Sequence, residues 1–239
     1  MSGRLRVPCM AVLMLTMLAL IVWPAPLLAH DVGGRDAAFV AATRGPAIGP
    51  FLYLGAKHMV TGIDHLLFLL GVIFFLRRFR DIAVCVSLFS LGHSITLLVG
   101  VLSGFAFDSN LVDAVIGLSV VYKAFDNLSG FAALGLPRPQ VHWAIFAFGL
   151  VHGMGLAGKL LDLGLHPEGL VANLVSFNVG VEIGQATALA LVLPPLLLWR
   201  RHASFQRFAL VCNWAMIVAG FALAGTHIAA YVFAKGIAS

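Results

Sequence analysis

The fold turns on one stretch, His58–Leu76, which reads HMVTGIDHLLFLLGVIFFL. From Leu66 onward it is apolar apart from Gly71, the composition of a helix in hydrocarbon. Its first half holds His58, Asp64 and His65. A charge at bilayer depth costs roughly 2.5–3.5 kcal/mol on insertion scales, so a counter-charge, a water-filled cavity or a metal ion is expected to offset it. On an unbroken helix His58 and His65 share one face, about 10.5 Å apart along the axis. Asp64 points about 100° away from His65. Helical spacing alone therefore does not bring the three onto one ion. Either the helix unwinds near Gly62, or the three residues serve separate points on a path.

The rest of the chain agrees with a membrane setting. Its 239 residues are 61% hydrophobic and only 10% charged, with a mean hydropathy of +1.00. Soluble domains carry about 25% charged residues, so the composition points to an all-α integral membrane protein. The net charge of +5 does not indicate a nucleic-acid partner, because Lys and Arg gather in short loops where they set topology. The cysteines Cys9, Cys85 and Cys212 are scattered and form neither a disulfide framework nor a CxxC metal site.

Residues 1–29 read as a cleavable signal peptide. Arg4 and Arg6 precede an apolar core over Met10–Trp23, Pro24 and Pro26 break it, and Ala29 offers a small residue before the cut. An uncleaved first membrane helix is the alternative. Residues 30–51 read as an external tail that starts at His30. Residues 52–234 form the expected six-helix transmembrane domain, with spans over Leu52–Leu76, Ile82–Phe105, Leu111–Leu134, Val141–Leu161, Val171–Trp199 and Phe208–Phe233. Short connections predict that neighbouring helices pack antiparallel. The first, third and fifth loops carry Arg77, Arg78, Arg80, Arg138, Arg200, Arg201 and Arg207. The second holds Asp108 and Asp113, and in the fourth Lys159 is balanced by Asp162 and Glu168. Odd loops are thus expected on the cytoplasmic side and both mature termini outside.

Most spans also carry polar residues near mid-depth. SLGHSIT (Ser90–Thr96) contributes His93, GLVHGMG contributes His152, and Asn178, Glu182 and Gln185 form one stripe at i, i+4 and i+7. Lys123 and Asp126, at i and i+3, read as a structural ion pair. His142, His166 and His202 fall at span ends or in loops and read as solvated, while His227 lies near the outer end of the last span. The candidate metal ligands are His58, Asp64, His65, His93, His152 and Glu182. Imidazole with carboxylate suits Ni²⁺, Co²⁺, Zn²⁺ or Fe²⁺. The absence of a Cys or Met cluster argues against Cu⁺, and the imidazoles argue against Mg²⁺ or Ca²⁺. Ligands at several depths fit a transit path, whereas a closed site at one depth fits a structural or catalytic metal.

His58, five residues, then Asp64-His65 resembles the first-helix signature of the HupE/UreJ proteins, bacterial nickel and cobalt permeases. LGHSIT (Leu91–Thr96), FGLVHGMG (Phe148–Gly155) and FNVGVEIGQ (Phe177–Gln185) resemble recurrent blocks of that family's second branch. The resemblance covers Leu52 to about Leu198 and implies a metal-permease role in the bacterial inner membrane, with His58, Asp64 and His65 carried over as ligands. The better-studied branch has a second signature of two His and a Glu around a Gly-rich turn. Here His152 is its remaining member, Phe148 stands in place of the other His and Gly155 in place of the Glu. Glu182 in the next helix is the expected substitute.

The leading reading is a divalent transition-metal permease, with Ni²⁺ or Co²⁺ received at His58, Asp64 and His65 and passed inward by His93, His152 and Glu182. Inward movement of a doubly charged ion gains about 4.6 kcal/mol at 100 mV, so no ATP site is required, and the sequence contains no P-loop. The same residue types, with Ser94 beside His93, also suit an intramembrane hydrolase that holds Zn²⁺ and activates water. A metal-delivery factor for metalloenzyme maturation is the third reading. The partners implied are the lipid bilayer and the divalent ion, with a homo-oligomer left open.

Overall fold

A computed structural model of the chain describes residues 35–137 and 139–237, and the expected signal peptide lies outside them. The described residues form helices α1 (Arg35–Ala42), α2 (Ile48–Thr61), α3 (Ile63–Ile73), α4 (Phe79–Ser103), α5 (Ser109–Asn127), α6 (Gly130–Ala133), α7 (Val141–Asp162), α8 (Leu170–Trp199) and α9 (Ser204–Ile237), with no strand among them. Of these, α4, α7, α8 and α9 are each long and apolar enough to cross a bilayer, and α2 with α3 would make a fifth span bent by 64°. The chain is a multi-pass helical membrane protein. Helix α5 is less apolar, since Asp113, Lys123 and Asp126 lie along it, all buried.

The first expected span is therefore not one helix but two, joined at Gly62. The third also differs: α5 stops at Asn127, the chain turns through Ser129 at φ 58°, and α6 follows as a separate turn. The turn is crowded, because a Cβ on Gly130 would run into the ring of Phe125. The expected tail is structured from Arg35 onward. Val40 of α1 is buried, Asp36 pairs with Lys57 at 2.6 Å, and Asn173 holds Ala47 N–H at 2.7 Å and Gly45 O at 3.1 Å.

Helix pairing does not follow chain order. The closest-packed pairs are α2 with α8, α4 with α7, and α5 with α9, rather than sequence neighbours. Each pair closes on glycine. A Cβ on Gly180 would strike the carbonyl of Leu52, one on Gly92 would come within 2.6 Å of Phe146 O, and one on Gly117 within 2.7 Å of Ala224 N. In lipid, apolar burial alone does not drive helices together. Close backbone approach and van der Waals contact do, and small residues permit it. Glycine positions, not loop lengths, thus select the partners.

Helix α3 sits amid these pairs, touching α2, α4, α5, α8 and α9, and its residues are buried almost all round. Its C-terminal carbonyls would be left without intrahelical partners. Arg200 supplies them, donating to the carbonyls of Ile73, Phe74 (2.6 Å) and Leu76 (2.5 Å). Burial, then Arg77 nearby, pull the Arg200 pKa below its ordinary value, yet a guanidinium stays charged and favours this negative helix end. On another side Asn127 donates to Gly71 O at 2.9 Å and to Asn213 at 3.0 Å, beside the Lys123–Asp126 pair at 2.8 Å.

Candidate metal centre

The break at Gly62 decides the geometry. Gly62 has φ −69° and ψ 108°, an extended conformation that ends α2 and starts α3. A Cβ there would lie 2.5 Å from His65 Nδ1 and 3.1 Å from Asp64 Oδ1, so the crowding itself requires glycine. Discontinuous membrane helices of this kind bring helix ends to mid-depth, where polar backbone faces a cavity. Asp64 occupies the first turn of α3, where the positive end of the helix dipole offsets its charge. The bend swings His58, in the last turn of α2, toward His65: their ring centroids are 4.9 Å apart, far closer than an unbroken helix allows.

Asp64, His65 and His152 are all buried, and each offers a ligand atom within 4.8 Å of the others. Hydrogen bonds to two of these rings define how they can coordinate. His65 Nδ1 lies 2.8 Å from Asp64 Oδ1, and His152 Nδ1 lies 2.8 Å from Phe148 O. A carboxylate and a carbonyl only accept, so Nδ1 carries the proton in each neutral ring and the lone pair falls on Nε2. Ligating histidines are commonly oriented by this outer hydrogen bond.

His93 lies just beyond, its ring 6.3 Å from that of His65 and 1% exposed. Both of its ring nitrogens are buried without a hydrogen-bond partner among the described residues. Such a group costs about 1–3 kcal/mol of desolvation that nothing returns. An orphaned imidazole beside two oriented ones fits a donor set for a borderline metal ion. Phe89 and Phe68 press on His152, with ring centroids 4.7 and 5.8 Å away, and keep the surroundings apolar.

Two cavities border His65. One is lined by His58, Asp64, His65, Asp113, Ile116, His152, Leu156 and Lys159. The other is lined by Met59, His65, Phe68, Leu69, Val72, Cys85, Val86, Phe89, Ile145 and Gln185. His65 belongs to both walls. Gln185 also accepts a hydrogen bond from Ser90, which ties α8 to α4.

Glu182 does not join the cluster. The helix presents Gly180 and Gly184 to α2, and Glu182, two residues from each, points about 160–200° away onto the exposed face. Its stripe-mates Asn178 and Gln185 are buried. Sequence reasoning missed Asp113 and Lys159, which it assigned to loop charge. They lie a turn inside α5 and α7, are joined at 2.8 Å and face the histidines. Gly155 has one of these carboxylate oxygens close by: a Cβ there would be 3.4 Å from Asp113 Oδ1. The signal that could have found the pair is their opposite charge at the same predicted end of two spans.

A broken membrane helix carrying a buried His/Asp cluster between two cavities defines a class, that of helical membrane proteins built around a polar intramembrane site. The family model described as HupE / UreJ protein matches residues 34–235, and the chain belongs to that family. No curated protein and no solved structure matches the chain.

Proposed function

We propose that the chain is a permease for a divalent transition metal, nickel or cobalt first, with six spans in the bacterial inner membrane and both mature termini periplasmic. The observation that carries this reading is the convergence of Asp64, His65 and His152 within 4.8 Å at a break in a membrane helix. The family's association with nickel and cobalt transport or metal delivery supports it. The cation is the cargo. Asp64 offsets part of its charge, and the Nε2 atoms of His65 and His152 supply soft-borderline donors. The rings of His58 and His93 lie 4.9 and 6.3 Å from that of His65, so the cation can exchange ligands stepwise instead of leaving all of them at once. Few anionic ligands suit a site that must release its ion, whereas a retained metal would be held by a closed shell.

The test is Ni²⁺ and Co²⁺ flux into proteoliposomes holding the native chain or Asp64→Asn. Saturable flux is expected for the native chain, with a loss of roughly 100-fold in the variant. No flux, together with a stoichiometric Zn²⁺ carried through purification, would replace the permease by the intramembrane hydrolase.

A further inference from the structure

The first cavity holds more charge than its histidine cluster uses. Asp113 on α5 is 6% exposed and meets Lys159 Nζ of α7 at 2.8 Å. His227 Nδ1 of α9 approaches the same Oδ2 at 3.7 Å. Asp113 and Lys159 line one wall with His58, Asp64, His65 and His152. With the imidazoles neutral, two carboxylates and one ammonium leave this cavity a single negative charge. A divalent cation added beside Asp64 while Lys159 stays in place would make it positive in a low-dielectric setting. The same cation with Lys159 turned outward balances both carboxylates.

We propose that Asp113 is a second acidic station for the divalent cation and that Lys159 is a tethered counter-cation which the arriving ion displaces and which returns as the ion moves on. The inference rests on the metal-site reading above. Lys159 is built for exchange. Its charge is a compact point on a flexible four-carbon stem, its side chain is 15% exposed, and it lies in the last turn of α7, within reach of water. The pairing has a purpose in both states: it spares Asp113 an unpaired buried charge when no ion is present, and it lowers the affinity of this cavity so that an ion is not trapped there. His227, 20% exposed at the same oxygen, is placed to take part as the ammonium leaves.

The experiment is a Co²⁺ titration of the full chain in detergent, read by the visible ligand-field bands of the bound ion. Lys159→Gln is expected to tighten Co²⁺ binding about tenfold and Asp113→Asn to weaken it by about tenfold or more. Opposite signs distinguish the proposal from a structural ion pair, whose two partners would shift binding the same way. Lys159→Arg keeps the pair but grips the carboxylate bidentately, so binding is expected to weaken several-fold while thermal stability holds or rises. If Lys159→Gln does not fold, unchanged affinity in Lys159→Arg overturns the proposal. Shifts of the same sign in Lys159→Gln and Asp113→Asn overturn it as well. If the native chain binds Co²⁺ and the Lys159 variants bind it equally well, this inference alone falls. If the native chain binds none, the metal-site reading falls and this inference with it.

Discussion

The two ends of α3 both hold charge inside a membrane bundle, and they handle it in opposite ways. At the C-terminal end the polar groups close on protein. Lys123 meets Asp126 and Asn127, Asn127 reaches Gly71 O and Asn213, and Arg200 covers the last carbonyls of the helix. At the N-terminal end the polar groups surround space. His58, Asp64, His65 and His152 line a cavity, and both nitrogens of His93 lack a hydrogen-bond partner among the described residues. Buried charge of the first kind fixes where helices sit. Under the proposed function, buried charge of the second kind receives the cation. The distinction rests on the cavity that these four residues line and on His93, whose ring nitrogens find no protein partner among the described residues, not on how many charges a span carries.

Breaking the closed end is expected to have the largest effect on the fold. Lys123→Met leaves the Asp126 carboxylate buried without its ammonium, at a cost of about 3–5 kcal/mol. Thermal unfolding in detergent should show it, and adding Asp126→Leu should restore most of the loss, because a buried ion pair replaced whole by apolar groups is often neutral. The open end should respond the other way round. His93→Leu removes no protein hydrogen bond, so stability is expected to change by less than about 1 kcal/mol while metal flux falls about tenfold. Equal damage to both by His93→Leu would erase the contrast between the two ends. The smallest effect is expected at Glu182. It lies outside both regions on the exposed face of α8, so Glu182→Gln should leave Ni²⁺ and Co²⁺ flux within about twofold of native. A large loss there would place Glu182 on the cation's path despite its exposed position.

Much of this was legible in the chain. Apolar length gave the membrane class, and the conflict between helical spacing and the His58, Asp64 and His65 set left two outcomes, unwinding near Gly62 or ligands at separate points on a path, of which the structure shows the break at Gly62. What pattern could not give was helix pairing. Glycine stripes mark faces that can approach, but only the bundle reveals that α4 meets α7 and α5 meets α9. Without that pairing, Asp113 and Lys159 looked like loop charges, and Glu182 looked like part of a polar stripe. A helical stripe spans an arc, and Glu182 falls just past its buried edge. The end of α5 at Asn127 was hidden for a related reason: residues 128–134 are apolar enough to continue a span, yet the chain turns there with Ser129 at φ 58° and Gly130 against the Phe125 ring.

In the proposed permease Asp64, His65 and His152 hold one cation together. X-ray absorption of the Ni²⁺-loaded full chain tests it most directly. The expected result is a nitrogen and oxygen shell with imidazole scattering that weakens in His65→Ala and again when His152→Ala is added. Imidazole scattering untouched by either change would mean that the ion sits elsewhere, and the site at the break would lose its role.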